Sequence, residues 1–293
     1  MIGKILVGLG GRTAEGPCCS EAATRLAIDL GARHGASLTG MTVADVAQLV
    51  RVGSAPIGAG SAVIELREHR LAVTRERVEA AIEAFEAACS TGGVRHAVKR
   101  EERSEPFDYL ISQARYHDLT VIGLHGLFEY GVHGETHYDP AGTMVRLVSG
   151  GVRPILAAGP HVFSKGKDGA PPIERVLIAY SGSPQSAKTM RRFVQMNLWP
   201  EAKLRIVAFG DDHERRQRHL LHAANYCEAH GIEVERDYRP GDPRTGVLEV
   251  ADEWEADLIV MGNSHRTLLS RKVLGDTMLE TIRRSDRSLF LCQ

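Results

Sequence analysis

The chain has 293 residues, of which 43% are hydrophobic and 25% charged, as in an ordinary globular protein with ample core. Lys+Arg 36 against Asp+Glu 37 gives a formal net charge of −1. This balance argues against nucleic acid or a membrane surface as the main partner, because either would require an excess of basic residues. No apolar run approaches the ~18 residues of a membrane-spanning helix. The first residues, MIGKILVGLGGR, lack the features of a signal peptide, so a cytoplasmic location is expected.

Strands and helices are predicted to alternate along the first part of the chain. In order they are strand Ile5–Leu9, helix Ser20–His34, strand Ser37–Val43, a long helix that carries Val78, Ile82 and Phe85 and stops at Gly92-Gly93, strand Val94–Glu101, a short helix from Ser104, strand Leu119–Gly123, a helix from about Ala141 and strand Arg153–Gly159. The helices show apolar residues at i, i+3 and i+4. The strand LTVIG is a continuous apolar run, which is typical of a parallel sheet buried on both faces.

The chain contains an internal duplication. Three pairs of similar segments occur in the same order: Lys4–Gly11 with Arg175–Gly182, Asp118–Gly126 with Asp257–His265, and Ala141–Gly159 with Gly275–Gln293. The strands predicted in the second copy are Val176–Tyr180, Leu204–Phe209, Ile232–Asp237, Leu258–Met261 and Ser288–Cys292. Two copies of one unit in sequence predict two similar domains.

The predicted domains are residues 1–158 and 173–293, joined by a linker, 159–172, that is rich in Gly, Pro and Lys. The first domain is the longer of the two. Its extra residues form an insertion at about 46–70, which we expect ahead of the long helix, and a long loop at 124–141 after strand four. Alternating strands and helices predict an α/β fold with a doubly wound, mainly parallel sheet. Ligands of such sheets bind beyond the carboxyl ends of the strands.

The segment GDPRTGVLEVADEWEADLIVMGNSH (Gly241–His265), followed by Gly275, resembles the third helix, fourth strand and next loop of the universal stress protein family. The resemblance is to the tandem two-domain form and covers nearly the whole chain, except the linker and the insertion. It implies two doubly wound five-stranded parallel-sheet domains of strand order 3-2-1-4-5, related by a pseudo-two-fold axis. It also implies that the chain pairs with itself, domain 1 with domain 2, through the fifth strands. A homodimer and unnamed protein partners stay open.

The same resemblance implies a nucleotide site, since some members of the family bind ATP. Their motif is Gly-x-x-Gly, nine residues, then Gly-Ser or Gly-Thr, with an aspartate after strand one. Main-chain N–H groups at the glycine turn and at the start of the last helix face the phosphates. In the second copy the motif positions are Gly262, His265 and Gly275, with Asp276 before Thr277 and Ser181 in place of the aspartate. A carboxylate at Asp276 would repel a polyphosphate.

In the first copy Gly123, Gly126, Gly142 and Thr143 match the motif by residue type. Fifteen residues, 127–141, lie between the second and third glycines instead of nine, and Gly10 occupies the position of the aspartate. The lengthened loop could wrap around a ligand or fill the cleft. ATP or another adenine nucleotide is therefore the expected cofactor, at a degenerate site in each copy.

The long loop, GLHGLFEYGVHGETHYDPAGT, also contains three histidines, His125, His133 and His137. Clustered imidazoles could bind zinc or another transition metal, although no established ligand spacing is present. The aromatic residues Phe128, Tyr130 and Tyr138 are expected to pack the loop against the domain.

The segment HERRQRHLLHAANYCEAHG predicts a helix with Leu220, Leu221, Ala224 and Cys227 on its buried face and its charged half in solvent.

No catalytic Ser–His–Asp pattern is present. The sequence therefore predicts a cytoplasmic stress-response protein with a degenerate nucleotide or phosphate site in each domain and no efficient ATP hydrolysis. Two alternatives stay open: a nucleotide-free protein-association module, and a metal-binding or ligand-modifying protein that uses the His125, His133 and His137 loop.

Overall fold

The structure, a computed structural model, describes residues 2–10, 19–45, 60–103, 105–130, 139–164, 173–262 and 274–292. The elements of the first half are β1 (Lys4–Gly8), α1 (Cys19–His34), β2 (Ser37–Asp45), α2 (Gly60–Thr91), β3 (His96–Arg103), α3 (Pro106–Ala114), β4 (Leu119–Gly123), α4 (Pro140–Ser149) and β5 (Ile155–Ala158). A 3-10 helix, Pro160–Ser164, follows β5.

The second half repeats this order. Its elements are β6 (Arg175–Ala179), α5 (Pro184–Met196), β7 (Lys203–Phe209), α6 (His213–Glu228), β8 (Val234–Arg239), α7 (Pro243–Glu253), β9 (Leu258–Gly262), α8 (Asp276–Arg284) and β10 (Ser288–Cys292). Four of the helices, α3, α4, α5 and α7, begin at a proline, which suits the first helical position because its missing N–H needs no partner there.

The ten strands form one sheet in the order β3-β2-β1-β4-β5-β10-β9-β6-β7-β8. Within each half the strands are parallel and follow the order 3-2-1-4-5, so the predicted fold class is confirmed. The halves meet at β5 and β10, which are antiparallel, with Leu156 opposite Phe290. Helices cover both faces of this sheet, and the strands are accordingly apolar on both sides.

Alternate residues of each strand enter two separate cores. Ile5 and Val7 of β1 belong to the core on one face, together with Ile178 of β6, whereas Leu6 and Leu177 belong to the core on the other face. Each core therefore continues from the first half into the second. Each Å² of apolar surface that these cores remove from water stabilises the fold by about 25 cal/mol.

Polar contacts also join the two halves. The indole Nε1 of Trp199, which follows α5, donates to Oδ2 of Asp29 in α1 at 2.7 Å, and Trp199 is buried. Arg33 of α1 bonds both Asp29 and Glu201. Nε2 of His34 lies 3.0 Å from the carbonyl oxygen of Leu198. The end of α1 is thus held against the segment that connects α5 to β7.

Two sequence predictions are wrong in detail. Helix α2 begins at Gly60, so residues 60–70 of the predicted insertion belong to the long helix and do not precede it. The first turns of α2 are mostly exposed and carry no continuous apolar stripe, which is why periodicity did not reveal them. On α6, Leu221 is 44% exposed, and Ala223 joins Leu220, Ala224 and Cys227 on the buried face.

Within the described ranges, no helix is both long enough and apolar enough to cross a membrane.

Candidate ligand site at the carboxyl ends of the strands

The predicted site residues that the structure describes lie at the carboxyl ends of the central strands in each half. Gly123 ends β4 and Gly262 ends β9. Gly142 and Thr143 lie in the first turn of α4, and Gly275 and Thr277 lie at the start of α8. Ser181 follows β6. His265, His133 and His137 lie outside the described residues. The strand order reverses between β1 and β4 and between β6 and β9, so each half has its crevice there.

In the first half the segment 124–130 lies across the end of β1. Gly126 has φ +75°, and its carbonyl oxygen accepts from the N–H of Glu129 at 3.1 Å in a tight turn. A Cβ added to Gly10 would lie 2.4 Å from that same carbonyl oxygen. Glycine at position 10 is therefore required by the close approach of the loop, and an aspartate could not occupy this position without moving the loop.

The side chains of this loop fill the space beside the strand ends. Phe128, which is 4% exposed, packs near Phe107 of α3 with ring centroids 6.1 Å apart. Tyr130, 1% exposed, packs against Val78 of α2, and its carbonyl oxygen accepts from Nη1 of Arg77 at 2.5 Å. The prediction that Phe128 and Tyr130 pack the loop down is confirmed; Tyr138 lies outside the described residues. Residues 127–130 of this loop therefore fill the crevice of the first half.

The carboxylate of Glu129 is also buried in this loop, at 5% exposure for the residue. Its Oε2 is 4.0 Å from the place that a Cβ of Gly126 would take. A buried acidic group beside the second motif glycine opposes the binding of a phosphate there. Desolvation lowers the pKa of the neighbouring His125, and the charge of Glu129 offsets part of that effect.

Among the described residues, no three His, Cys, Asp or Glu side chains group so as to hold a metal ion.

The amino end of α4 carries a cap from its own chain. Asp139 is the N-cap residue, and its Oδ2 accepts from the N–H of Gly142 at 3.0 Å. Its main-chain oxygen accepts from the N–H of Thr143 at 2.9 Å. Both of the N–H groups predicted to face a phosphate are thus bonded to Asp139. The carboxylate takes the place that an anion would occupy at a helix start.

In the second half the corresponding helix, α8, begins differently. Its N-cap residue is Gly275, which has no side chain to cap the helix, and Asp276 and Thr277 occupy its first turn. Asp276 is exposed, and its charge attracts the exposed Arg244 of α7. Thr277 is partly buried. A Cβ at Gly262 would lie 2.7 Å from the carbonyl oxygen of Gln185, so the close packing of β9 on α5 requires this glycine.

Three serine hydroxyls gather at the end of β6 and the start of α5. Oγ of Ser181 lies 2.9 Å from Oγ of Ser183 and 3.2 Å from Oγ of Ser186. Ser183 is the N-cap of α5, and its hydroxyl accepts from the N–H of Ser186 at 3.1 Å. Between them Gly182 has φ +77°, a left-handed conformation that glycine adopts without strain.

Two side chains of α6 reach over this serine cluster (Ser181, Ser183 and Ser186). Nη1 of Arg216 donates to the carbonyl oxygen of Ser181 at 2.7 Å, and its guanidinium also lies beside Gly210 at the end of β7. The ring of His219 packs on Gly182, where a Cβ would lie 2.0 Å from Nδ1. Desolvation, followed by the charges of Arg215 and Arg216, lowers the pKa of His219, so the ring is neutral at pH 7.

The sequence did not reveal Arg216. It lies in the charged half of α6, for which solvent was the expected environment, yet it is partly buried over the strand ends. One feature of the sequence could have indicated its position: the connecting segment between the end of β7 and the start of α6 is short. A short connection places the first turn of α6 over the crevice at the strand ends.

Comparisons with known proteins agree with this fold. Residues 199–292 match the model described as the universal stress protein family. A universal stress protein from Archaeoglobus fulgidus is similar over 99% of this chain and 96% of its own, with a TM-score of 0.65 and 17% identity. A putative universal stress protein from Pseudomonas aeruginosa is similar over 99% of this chain and 93% of its own, with a TM-score of 0.56 and 12% identity. At these identities the likeness shows the fold alone. None of the curated proteins compared with the chain matches it.

The repeated five-stranded units, joined edge to edge with a crevice in each, define a duplicated α/β protein. Residues 199–292 match the universal stress protein family, and the whole chain has the fold of two such units in sequence.

Proposed function

We propose that this chain is a cytoplasmic stress-response protein that binds one nucleotide or similar phosphate ligand, at the crevice of its second half, without efficient ATP hydrolysis. The first half acts as a nucleotide-free half of the same fold. The observation that carries the proposal is the contrast between the helix starts. The N–H of Gly142 is bonded to the carboxylate of Asp139, whereas the N-cap residue of α8 is Gly275, which places no carboxylate at that position.

Steric and electrostatic features support the same asymmetry. In the first half, the loop over residues 127–130 fills the cleft, and buried Glu129 adds negative charge. In the second half, a ligand between Ser181 and Thr277 would meet hydroxyls and main-chain N–H groups, which are neutral donors suited to phosphate. Asp276 disfavours a long polyphosphate at that helix start. A monophosphate is therefore expected to bind more tightly than ATP.

The test is equilibrium binding of AMP and ATP to the full chain by isothermal titration calorimetry. We expect one AMP per chain, weaker binding of ATP, and no release of inorganic phosphate from ATP above the background rate. Thr277→Ala should weaken AMP binding about 5-fold, since it removes one hydroxyl donor. Thr143→Ala makes the same change in the first half and should leave AMP binding as it is.

Two molecules of AMP per chain, or loss of binding in Thr143→Ala, would show that the first half carries the ligand. No binding of either nucleotide would favour the nucleotide-free association module. Zinc bound by the chain and lost in a His133→Ala, His137→Ala variant would favour the metal-binding alternative.

A further inference from the structure

A positive charge lies beside the hydroxyls at the end of β6. Arg216 bonds the carbonyl oxygen of Ser181, and the hydroxyl of Ser181 lies within 3.2 Å of those of Ser183 and Ser186. The guanidinium also extends over Gly210, so it lies above the ends of two neighbouring strands, β6 and β7. One arginine and three hydroxyls therefore meet in a small region of the crevice.

This combination of groups recognises negatively charged oxygen atoms. A guanidinium forms charge-assisted bonds with carboxylates and phosphates that are roughly twice as strong as neutral hydrogen bonds, and its charge is present at every physiological pH. Serine hydroxyls rotate to donate to such oxygens. A ribose hydroxyl or a neutral base would gain less from Arg216 than an anion would. Asp212, the N-cap residue of α6 four residues before Arg216, accepts from the N–H of Arg215.

The region also lies apart from the helix start that would hold the first phosphate. Ser181 follows β6, whereas α8 follows β9, and these two strands are neighbours at the reversal of strand order. A ligand that spans the crevice can contact α8 at one end and the serine cluster at the other.

We infer that the ligand of the second half carries a second anionic group, a phosphate or a carboxylate, which Arg216 and the hydroxyls of Ser181 and Ser183 bind. The inference rests on the proposed function, because it assumes that a phosphate ligand occupies this half. It extends that function by naming the ligand class: a phosphorylated small molecule with two separate anionic groups, such as a nucleotide with a further phosphate on its ribose. Arg216 sets this specificity.

The experiment compares two probes that differ only in the second phosphate, AMP and adenosine 3′,5′-bisphosphate. We expect the unmodified chain to bind the bisphosphate about 10-fold more tightly than AMP, the size expected of one charge-assisted contact. Arg216→Gln should reduce this preference to about 2-fold. Ser181→Ala, which keeps the main-chain bond to Arg216, should reduce it in part.

Arg218→Gln is the matched control, because Arg218 lies on the same helix and is exposed. It removes the same charge and should keep the preference. Equal affinities for the two probes, or an equal loss in Arg218→Gln, would overturn the inference while leaving the proposed function in place. Failure of AMP to bind the unmodified chain would overturn the proposed function and the inference with it. Thermal melts of each variant establish that it is folded, and Ser181→Ala keeps the test decisive if Arg216→Gln does not fold.

Discussion

Asp118 and Asp257 form the same contact in the two halves of the protein. Oδ2 of Asp118 accepts from the N–H groups of Gly3 and Lys4 at 2.8 and 3.0 Å, and Oδ2 of Asp257 accepts from those of Glu174 and Arg175, both at 2.9 Å. Each aspartate thus ties the start of its fourth strand to the start of its first. The two differ in burial, since Asp257 is only 2% exposed, and Oδ1 of Asp257 also lies 3.5 Å from Nε2 of His161.

That difference predicts unequal costs of removing the two carboxylates. Asp257→Ala would leave two main-chain N–H groups with no acceptor in a buried place, so we expect a loss of about 3 kcal/mol in the free energy of unfolding. Asp118→Ala exposes its N–H groups to water and should cost about 1 kcal/mol. Urea denaturation of both variants measures the two losses. Equal losses would show that burial does not govern this contact.

The stability of the protein should fall as the pH drops through the histidine range. Desolvation, aided by the charges of Lys4 and Lys99, lowers the pKa of His117 in the folded protein. The unfolded chain then binds more protons than the folded chain, so unfolding becomes easier below the ordinary histidine pKa of about 6.5. His117→Gln can keep a polar contact with Thr39 but does not titrate.

The measurement is the free energy of unfolding at several values between about pH 7.5 and pH 5, in the parent and in His117→Gln. The variant should lose less stability over this range than the parent does. His125 and His219, whose pKa values are also lowered, account for the dependence that should remain. Identical pH profiles for the two proteins would rule out a contribution from His117.

Trp199 and Asp29 should be energetically coupled across the two halves. Their hydrogen bond is 2.7 Å long and partly buried, and Arg33 shares the same carboxylate. A double-mutant cycle with Trp199→Phe and Asp29→Asn should give a coupling energy of about 1–2 kcal/mol. The same cycle on the exposed pair Arg205 and Glu235 should give less than about 1 kcal/mol. Additive effects of the first pair would mean that the bond contributes nothing to joining the halves.

Gly10→Ala should disturb the loop that fills the first cleft. Its new methyl group would meet the carbonyl oxygen of Gly126, a main-chain atom that cannot rotate away. We expect a loss of about 2–3 kcal/mol, at the upper end for overpacking. Gly3→Ala, at the other end of β1, would meet its nearest atom at 3.7 Å and should change stability by less than about 0.5 kcal/mol. Thermal unfolding distinguishes the two, and a fully stable Gly10→Ala would show that the loop moves freely.

Cys89 and Cys227 should resist alkylation in the folded protein. Burial raises the pKa of each thiol to about 11. At pH 8 such a thiol is only about 0.1% thiolate, the reactive form. Iodoacetamide followed by peptide mass spectrometry should detect both residues unmodified until the chain is unfolded in urea. Modification of either at the rate of a free cysteine would mean that its helix opens readily.

The sequence predicted the strands, because buried parallel strands appear as continuous apolar runs and the duplication supplied each pattern twice. Their order was predicted from the resemblance to universal stress proteins. The start of α2 was missed, since its first turns bury little and so lack periodicity. The role of Asp139 was not predicted: a carboxylate three residues before a glycine caps a helix only if the chain turns into the helix at that point. Arg216 was missed for a similar reason, since contact with Ser181 depends on tertiary packing between α6 and β6.

The pairing of β5 with β10 has a consequence for assembly. It leaves β3 and β8 as the outer edges of the sheet, and both are densely charged, with sequences HAVKREER and VERDYR. Ion pairs such as Arg75–Glu102 and Arg205–Glu235 lie along these edges. Charged edge strands resist the addition of a further strand from another chain. The apolar edges of β5 and β10 are therefore paired within one chain, and the remaining edges disfavour strand pairing between molecules.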